Sequence, residues 1–211
     1  MSPTGPEEEC LARLRGETPF TLGDRMLAND PVAAGLPAEA RHRLVAAALD
    51  DGTAVGAMLN RQYPGLGPEA VAAALGVGIV ETHEDPFAGP FWRHADYRAR
   101  PPEIRLFAIA VAALDGAMAT PEIARLVGAR HSAPVFIAHE LYHHVEATRP
   151  EPRLARRHAV ARLRLGAIRL AAPVLALSEI AAGACAQAML GLPQHAAILD
   201  LLALSLELIR K

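Results

Sequence analysis

His139, Glu140 and His143 lie in the stretch "FIAHELYHHVEA", residues 136–147, where three histidines and two glutamates interrupt an otherwise apolar segment. Burying such groups without partners is costly, because each loses its water. A metal ion is the partner that suits them. His139-Glu140-Leu141-Tyr142-His143 fits the pattern H-E-x-x-H. On a helix, residues i and i+4 lie on one face a turn apart, so both imidazoles can point at one ion. Glu140 then sits about 100° round from His139 and about 60° from His143, from 3.6 residues per turn. It can stand beside the ion without binding it. A zinc ion lowers the pKa of its water towards about 7, and a carboxylate so placed can take the proton. The chemistry these residue types allow is metal-assisted hydrolysis, with Glu140 as general base. Phe136, Ile137, Leu141 and Val145 supply an apolar stripe that turns this helix towards protein.

A catalytic zinc site takes three protein ligands and keeps a fourth position open. Downstream of the two histidines the candidates are Glu146, His158, Glu179 and His195. Glu146 follows His143 by one turn, on a helix that makes its own approach to the ion awkward. Its better use is to hold an imidazole N–H from outside the coordination sphere. His158 lies in the basic run "RLARRHAVARLR", which reads as a solvated face. His144 points to the far side of the helix. Glu179 carries the best case, as a lone carboxylate inside "PVLALSEIAAGACAQAML". A lone acid there needs compensation. Ala182, Ala186 and Met189 follow it at helical spacing, and small residues would let that helix approach the histidine helix closely. The competing reading is a glutamate at a helix N-terminus, held by the dipole with Ser178 as cap.

Amide hydrolysis also needs a group that stabilises the developing oxyanion. His94, Tyr97, His131, Tyr142 and Arg105 have suitable chemistry. His94 and Tyr97, in "FWRHADYR", are favoured because a strand there could face the cleft. Tyr142 lies about 80° off the metal face of its helix and reads as packing. No glycine-rich phosphate loop and no G-x-S-x-G nucleophile motif is present.

The elements that must hold these groups follow from composition and punctuation. Of the 211 residues 52% are hydrophobic but only 4% aromatic, and alanine and leucine dominate. Such a core is expected to be largely helical. Residues 1–35 read as irregular, with one short helix around Glu7–Arg15. Residues 37–52 read as a helix stopped by Gly52, and 52–65 as another short one. Glu69–Leu75 is helical up to Gly76, and Val77–Glu81 is β-prone. Further strand candidates lie in Phe91–Arg98 and around Ile104–Phe107. From Thr120 onward the reading is helical throughout: "TPEIARLVGA", the histidine segment up to Pro150, a basic helix over 153–172, a small-residue helix over 173–193, and a closing amphipathic helix. Two divisions are expected, an N-terminal helical or irregular region over 1–66 and a core over 67–211.

"FIAHELYHH" followed by "SEIAAGACAQAML" resembles the zinc peptidase-like domains of the ImmA/IrrE group, relatives of the gluzincins. Their form is an apolar run into H-E-L-x-H, then E-x-x-A-x-x-F-A-x-x-L-L near a proline. Here Glu179, Ala182, Ala186, Met189 and Leu190 fill the second pattern, with Cys185 where an aromatic is common. Upstream, "PEAVAAALGVGIVE" is similar to the group's helix-then-strand entry, and the resemblance spans roughly residues 67–193. It implies an α+β, predominantly helical zincin-like fold, with a small sheet on the H-E-x-x-H helix and an edge strand able to add an extended peptide. "PPEIRLFAI" is the candidate for that strand. The resemblance further implies His139, His143 and Glu179 as ligands of one zinc ion and Glu140 as general base.

The expected function is a zinc-dependent metallopeptidase acting on a peptide or protein. The alternative is a non-catalytic zinc-binding module that regulates or holds a protein partner on the same scaffold. A formal net charge of −2 and the lack of a helix-turn-helix pattern argue against a nucleic-acid partner. No window of about 18 charge-free apolar residues suggests a membrane span. The two cysteines form no CxxC pair, and the start lacks a signal-peptide pattern, so the expected location is the cytoplasm.

Overall fold

The computed structural model describes residues 6–88, 91–165 and 168–209. It is predominantly helical with a small mixed sheet. The N-terminal half opens with α1 (Pro6–Arg15), α2 (Pro19–Asn29), α3 (Ala38–Gln62) and α4 (Pro68–Ala74). Then come β1 (Gly78–Thr82), the short pair β2 (Phe87–Ala88) and β3 (Phe91–Trp92), β4 (Ala95–Ala99) and β5 (Pro102–Phe107). The rest is α5 (Ala108–Met118), α6 (Pro121–Val127), α7 (Ala133–Thr148), α8 (Leu154–Arg157), the hairpin β6 (Val160–Leu165) and β7 (Ile168–Ala172), α9 (Ala176–Leu190) and α10 (Ile198–Ile209). None of the described helices is long and apolar enough to cross a membrane.

The main sheet has the order β1-β5-β4, with β1 parallel and β4 antiparallel to β5. Pro102–Phe107, the expected peptide-binding edge, is therefore the middle strand, and both of its hydrogen-bonding sides are used. The free edge beside α7 belongs to β4. One contiguous apolar cluster joins α1 through α10, with Leu14, Val45, Leu59, Ile104, Leu141, Leu177 and Leu202 among its members.

The helix α9 is threaded between α3 and α7. Its contact with α3 explains why Gly52 does not stop a helix. α3 runs unbroken through it, because a Cβ at Gly52 would lie 2.0 Å from the Ala181 carbonyl oxygen of α9. Gly56, one turn on, is pressed against Cys185 in the same way. The two expected helices are thus a single helix whose glycines permit close backbone approach.

Two further expectations are corrected, and one element was not expected at all. The stretch 6–35 is not largely irregular: a Thr18–Thr21 capping box and Pro19 start α2, whose Leu22 and Leu27 are buried. Residues 1–5 lie outside the described part. α5, which no expectation covered, follows β5 directly. The expected basic helix over 153–172 is the single turn α8 followed by the β6–β7 hairpin. Its sequence, "VARLRL" then "IRLAA", alternates apolar and basic residues with period two, which suits a strand better than a helix. Residues 166 and 167 lie outside the described part.

Acidic side chains from elsewhere in the chain pin both helices that carry the candidate ligands. At the start of α7, Ser132 donates from its backbone N and its Oγ to Asp115 of α5, each at 2.7 Å. At the far end, Asp51 of α3 accepts from Tyr142 Oη at 2.7 Å and pairs with Arg149 at 3.1 Å and with Arg157. The first turn of α9 is held by Asp30, whose Oδ2 accepts from Ala176 N at 3.2 Å.

Candidate metal centre

α7 and α9 pack side by side and bring His139, His143 and Glu179 together. The two Nε2 atoms stand 3.3 Å apart. His139 Nε2 is 3.2 Å from Glu179 Oε2, and His143 Nε2 is 3.5 Å from Oε1. Ligands at about 2.0–2.1 Å from a tetrahedral zinc are about 3.3 Å from each other. The donor set and its spacing therefore fit such an ion. The histidines are mostly covered, at about one-fifth exposure of each side chain, while Glu179 is half exposed at 51%. A ligand could thus approach from the Glu179 side.

The charges within the cluster support one another. Burial works against a charged His143, but the Glu179 carboxylate outweighs it, with help from Glu140 and Glu146, and raises the imidazole to about 9. For Glu179, loss of water works against the charge, yet hydrogen bonding to His139 and His143 holds the carboxyl well below its usual range. Glu140 behaves differently. It is buried, and that burial pushes its carboxyl above the ordinary value; the nearby histidines oppose the shift, while Glu179 and Asp96 reinforce it. A raised carboxyl beside a metal-ligand cluster is the property a general base needs.

Glu140, His143 and Glu179 line one cleft of about 330 Å³ together with Asp96, Tyr97, Glu146 and Arg153. The edge strand β4 forms one wall through Ala95, Asp96, Tyr97 and Ala99. Arg105 grips Asp96 from β5 with two hydrogen bonds, at 2.8 and 2.5 Å, which fixes that wall. Tyr97 Oη is hydrogen-bonded to His144 Nδ1 at 2.9 Å, so the histidine on the far side of α7 anchors a cleft residue.

Several expected site residues lie elsewhere. His94 is not on a strand facing the cleft. It is buried in the link before β4, its ring stacked on Phe136 at 4.8 Å. Glu146 is buried and close enough to influence His143, but its Oε1 accepts from Leu154 N and Ser178 Oγ, both at 2.9 Å, rather than from an imidazole. Ser178 is accordingly spent on Glu146 and does not cap α9. His158 ends α8, and His131 is exposed beside Asp115. His195 is fully buried, with Nε2–H donating to the Ile180 carbonyl at 2.9 Å and Nδ1 accepting from Ala197 N at 3.2 Å. Both of its nitrogens are used, so it is no ligand. Gly183 makes room for it, since a Cβ there would lie 2.2 Å from the His195 ring.

In comparisons with known proteins, no family model, no curated protein and no solved structure matches this chain. The functional reading therefore rests on the chain's own residues. Asp96, Arg153 and Asp51 were not singled out from the sequence. Asp96 sits beside Tyr97 in a β-prone run and could have been flagged by alternation, but nothing local marks Arg153 or Asp51.

Proposed function

We propose that the chain is a zinc-dependent metallopeptidase with a zincin-like fold, akin to the ImmA/IrrE group. What carries the reading is the meeting of two imidazole Nε2 atoms and one carboxylate, from two helices, at 3.2–3.5 Å beside a buried glutamate. His139, His143 and Glu179 would hold the ion. Zinc, when bound, supplies Lewis acidity that makes a water acidic enough to lose a proton near neutral pH. Glu140 receives that proton on its carboxylate and passes it to the leaving amine, a double role its raised pKa suits. Tyr97 Oη is the cleft's hydroxyl donor for the developing oxyanion, its proton left free when His144 Nδ1–H donates to it. The edge of β4, unpaired among the described residues, offers backbone groups to an extended peptide, which would lie along the cleft as an added strand. Cytoplasmic residence belongs to the same reading.

The deciding experiment is metal content by plasma mass spectrometry on protein purified without added metal, for wild type and Glu179→Ala side by side. About one zinc per chain, weakened in the variant, is expected. No metal in wild type, even after zinc is offered, overturns the reading. Zinc retained by wild type with no turnover of unfolded protein or peptide would identify the non-catalytic zinc-binding module instead.

A further inference from the structure

Arg153 stands at the cleft with no side-chain partner among the described residues, unlike Asp96, Glu146 and Glu179. Of the lining carboxylates, Asp96 is gripped by Arg105, Glu146 is bound by Leu154 N and Ser178 Oγ, and Glu179 faces two imidazoles. Arg149 and Arg157, close to Arg153 in sequence, both pair with Asp51. Arg153 lines the cleft, is exposed, and makes no ion pair or side-chain hydrogen bond with any described residue. It is also the one arginine or lysine among the described residues that line the cleft.

Its root is fixed. The Arg153 carbonyl accepts from Arg156 N at 2.8 Å and Arg157 N at 3.1 Å. The adjoining amide, Leu154 N, donates at 2.9 Å to Glu146, which sits one turn beyond His143 on α7. The guanidinium is thereby carried on backbone tied to the histidine helix. Its charge also acts on Tyr97, whose phenol burial otherwise pushes up.

A guanidinium presents a planar fork that matches a carboxylate with two parallel hydrogen bonds. Away from the candidate metal ligands, Glu140, Glu146 and Asp96 line the cleft, and Arg153 is the side chain there that offers a carboxylate a fork. The volume of about 330 Å³ is at the small end for a ligand site, enough for a short piece of substrate. We propose that Arg153 determines specificity, by seating a substrate carboxylate next to the scissile bond. That carboxylate is either the free C-terminus of a peptide or an acidic side chain. The inference rests on the metallopeptidase reading.

The first test is binding. Zinc-loaded full-length protein is titrated by calorimetry with a succinyl hydroxamate bearing a free carboxylate and with the same compound amidated. The carboxylate form is expected to bind roughly tenfold tighter to wild type, the scale of one charge-assisted fork. Arg153→Gln, with unchanged zinc content, should bind the two equally. Equal binding by wild type, a preference that survives in Arg153→Gln, or binding of neither compound overturns the inference.

The second test uses matched peptide pools with free or amidated C-termini, each with and without internal glutamate, read by mass spectrometry. Preference for free C-termini assigns the seat to a chain end. Preference for glutamate regardless of the terminus assigns it to a side chain. Cleavage with neither preference overturns the inference. No cleavage of any pool, alongside an intact tenfold hydroxamate preference, overturns the peptidase reading while upholding the carboxylate seat.

Discussion

Glu140 and Tyr97 carry opposite obligations at the candidate centre, and each can be tested alone. Glu140 accepts no hydrogen bond from a described residue and is buried against the candidate metal-ligand cluster, so its carboxylate is available to a water. Glu140→Gln keeps the shape and removes the base. Peptide hydrolysis should fall at least about 100-fold, with zinc content unchanged by plasma mass spectrometry; activity surviving the change would remove Glu140 from the mechanism. Tyr97→Phe deletes the hydroxyl and leaves the ring beside His144. The expected loss is about 10²-fold in kcat, with KM little moved, since the hydroxyl acts on charge that appears only in the transition state. A change confined to KM would make Tyr97 a binding group only. Glu140 was legible in sequence because H-E-x-x-H is a local pattern whose geometry the helix guarantees, and Tyr97 because it lies in a β-prone run. Arg153 was not, because its distinction is the absence of a partner, and that is a property of the assembled cleft.

The element that decides the geometry is α9, held between α3 and α7. Its candidate ligand Glu179 reaches the histidines only because α9 lies close to α7, and α9 is seated from the other side by Gly52 and Gly56 of α3. Gly52→Ala sets a methyl 2.0 Å from the Ala181 carbonyl oxygen, a clash with backbone that no side-chain rotation relieves. The expected destabilisation is about 2–4 kcal/mol by urea unfolding, at the upper end for overpacking, together with weaker zinc retention as α9 is pushed aside. Unchanged stability would show that the helices part without consequence. Gly52 also shows where local reading stops short. A glycine after a run of helix formers looks like a terminator, yet here it is a contact point whose partner lies 129 residues further along the chain. The hairpin after α8 fell to a different error. Leucine, alanine and arginine favour helices, but their alternation has the period of a strand, and pairing between β6 and β7 prevailed.

Across the whole molecule, metal and protons should both govern stability. An ion held by α7 and α9 binds the folded chain alone, so a chelator should lower the thermal midpoint by several degrees, and much less in Glu179→Ala. An equal shift in both would place the ion elsewhere. Protons act through His195. Burial depresses this imidazole from 6.5 to about 4, although its bond to the Ile180 carbonyl opposes the shift. The unfolded chain therefore takes up a proton as pH falls through about 6.5 while the folded chain resists until about 4. Stability from this group is complete above 6.5 and declines through that window, by at most about 3 kcal/mol. Urea unfolding at pH 7 and pH 4.5 should show the decline, and a smaller one in His195→Gln; an identical decline in both would assign the acid sensitivity to other groups. The sequence by itself determined the helical character, the strand candidates after Gly76 and the two histidines with their glutamate, because each depends on neighbours within a few residues. Only the tertiary structure decided that Glu179 meets them, that β4 rather than β5 is the open edge, and that His195 and Gly183 fit each other. Those outcomes depend on which distant surfaces pack together, and no local spacing encodes that.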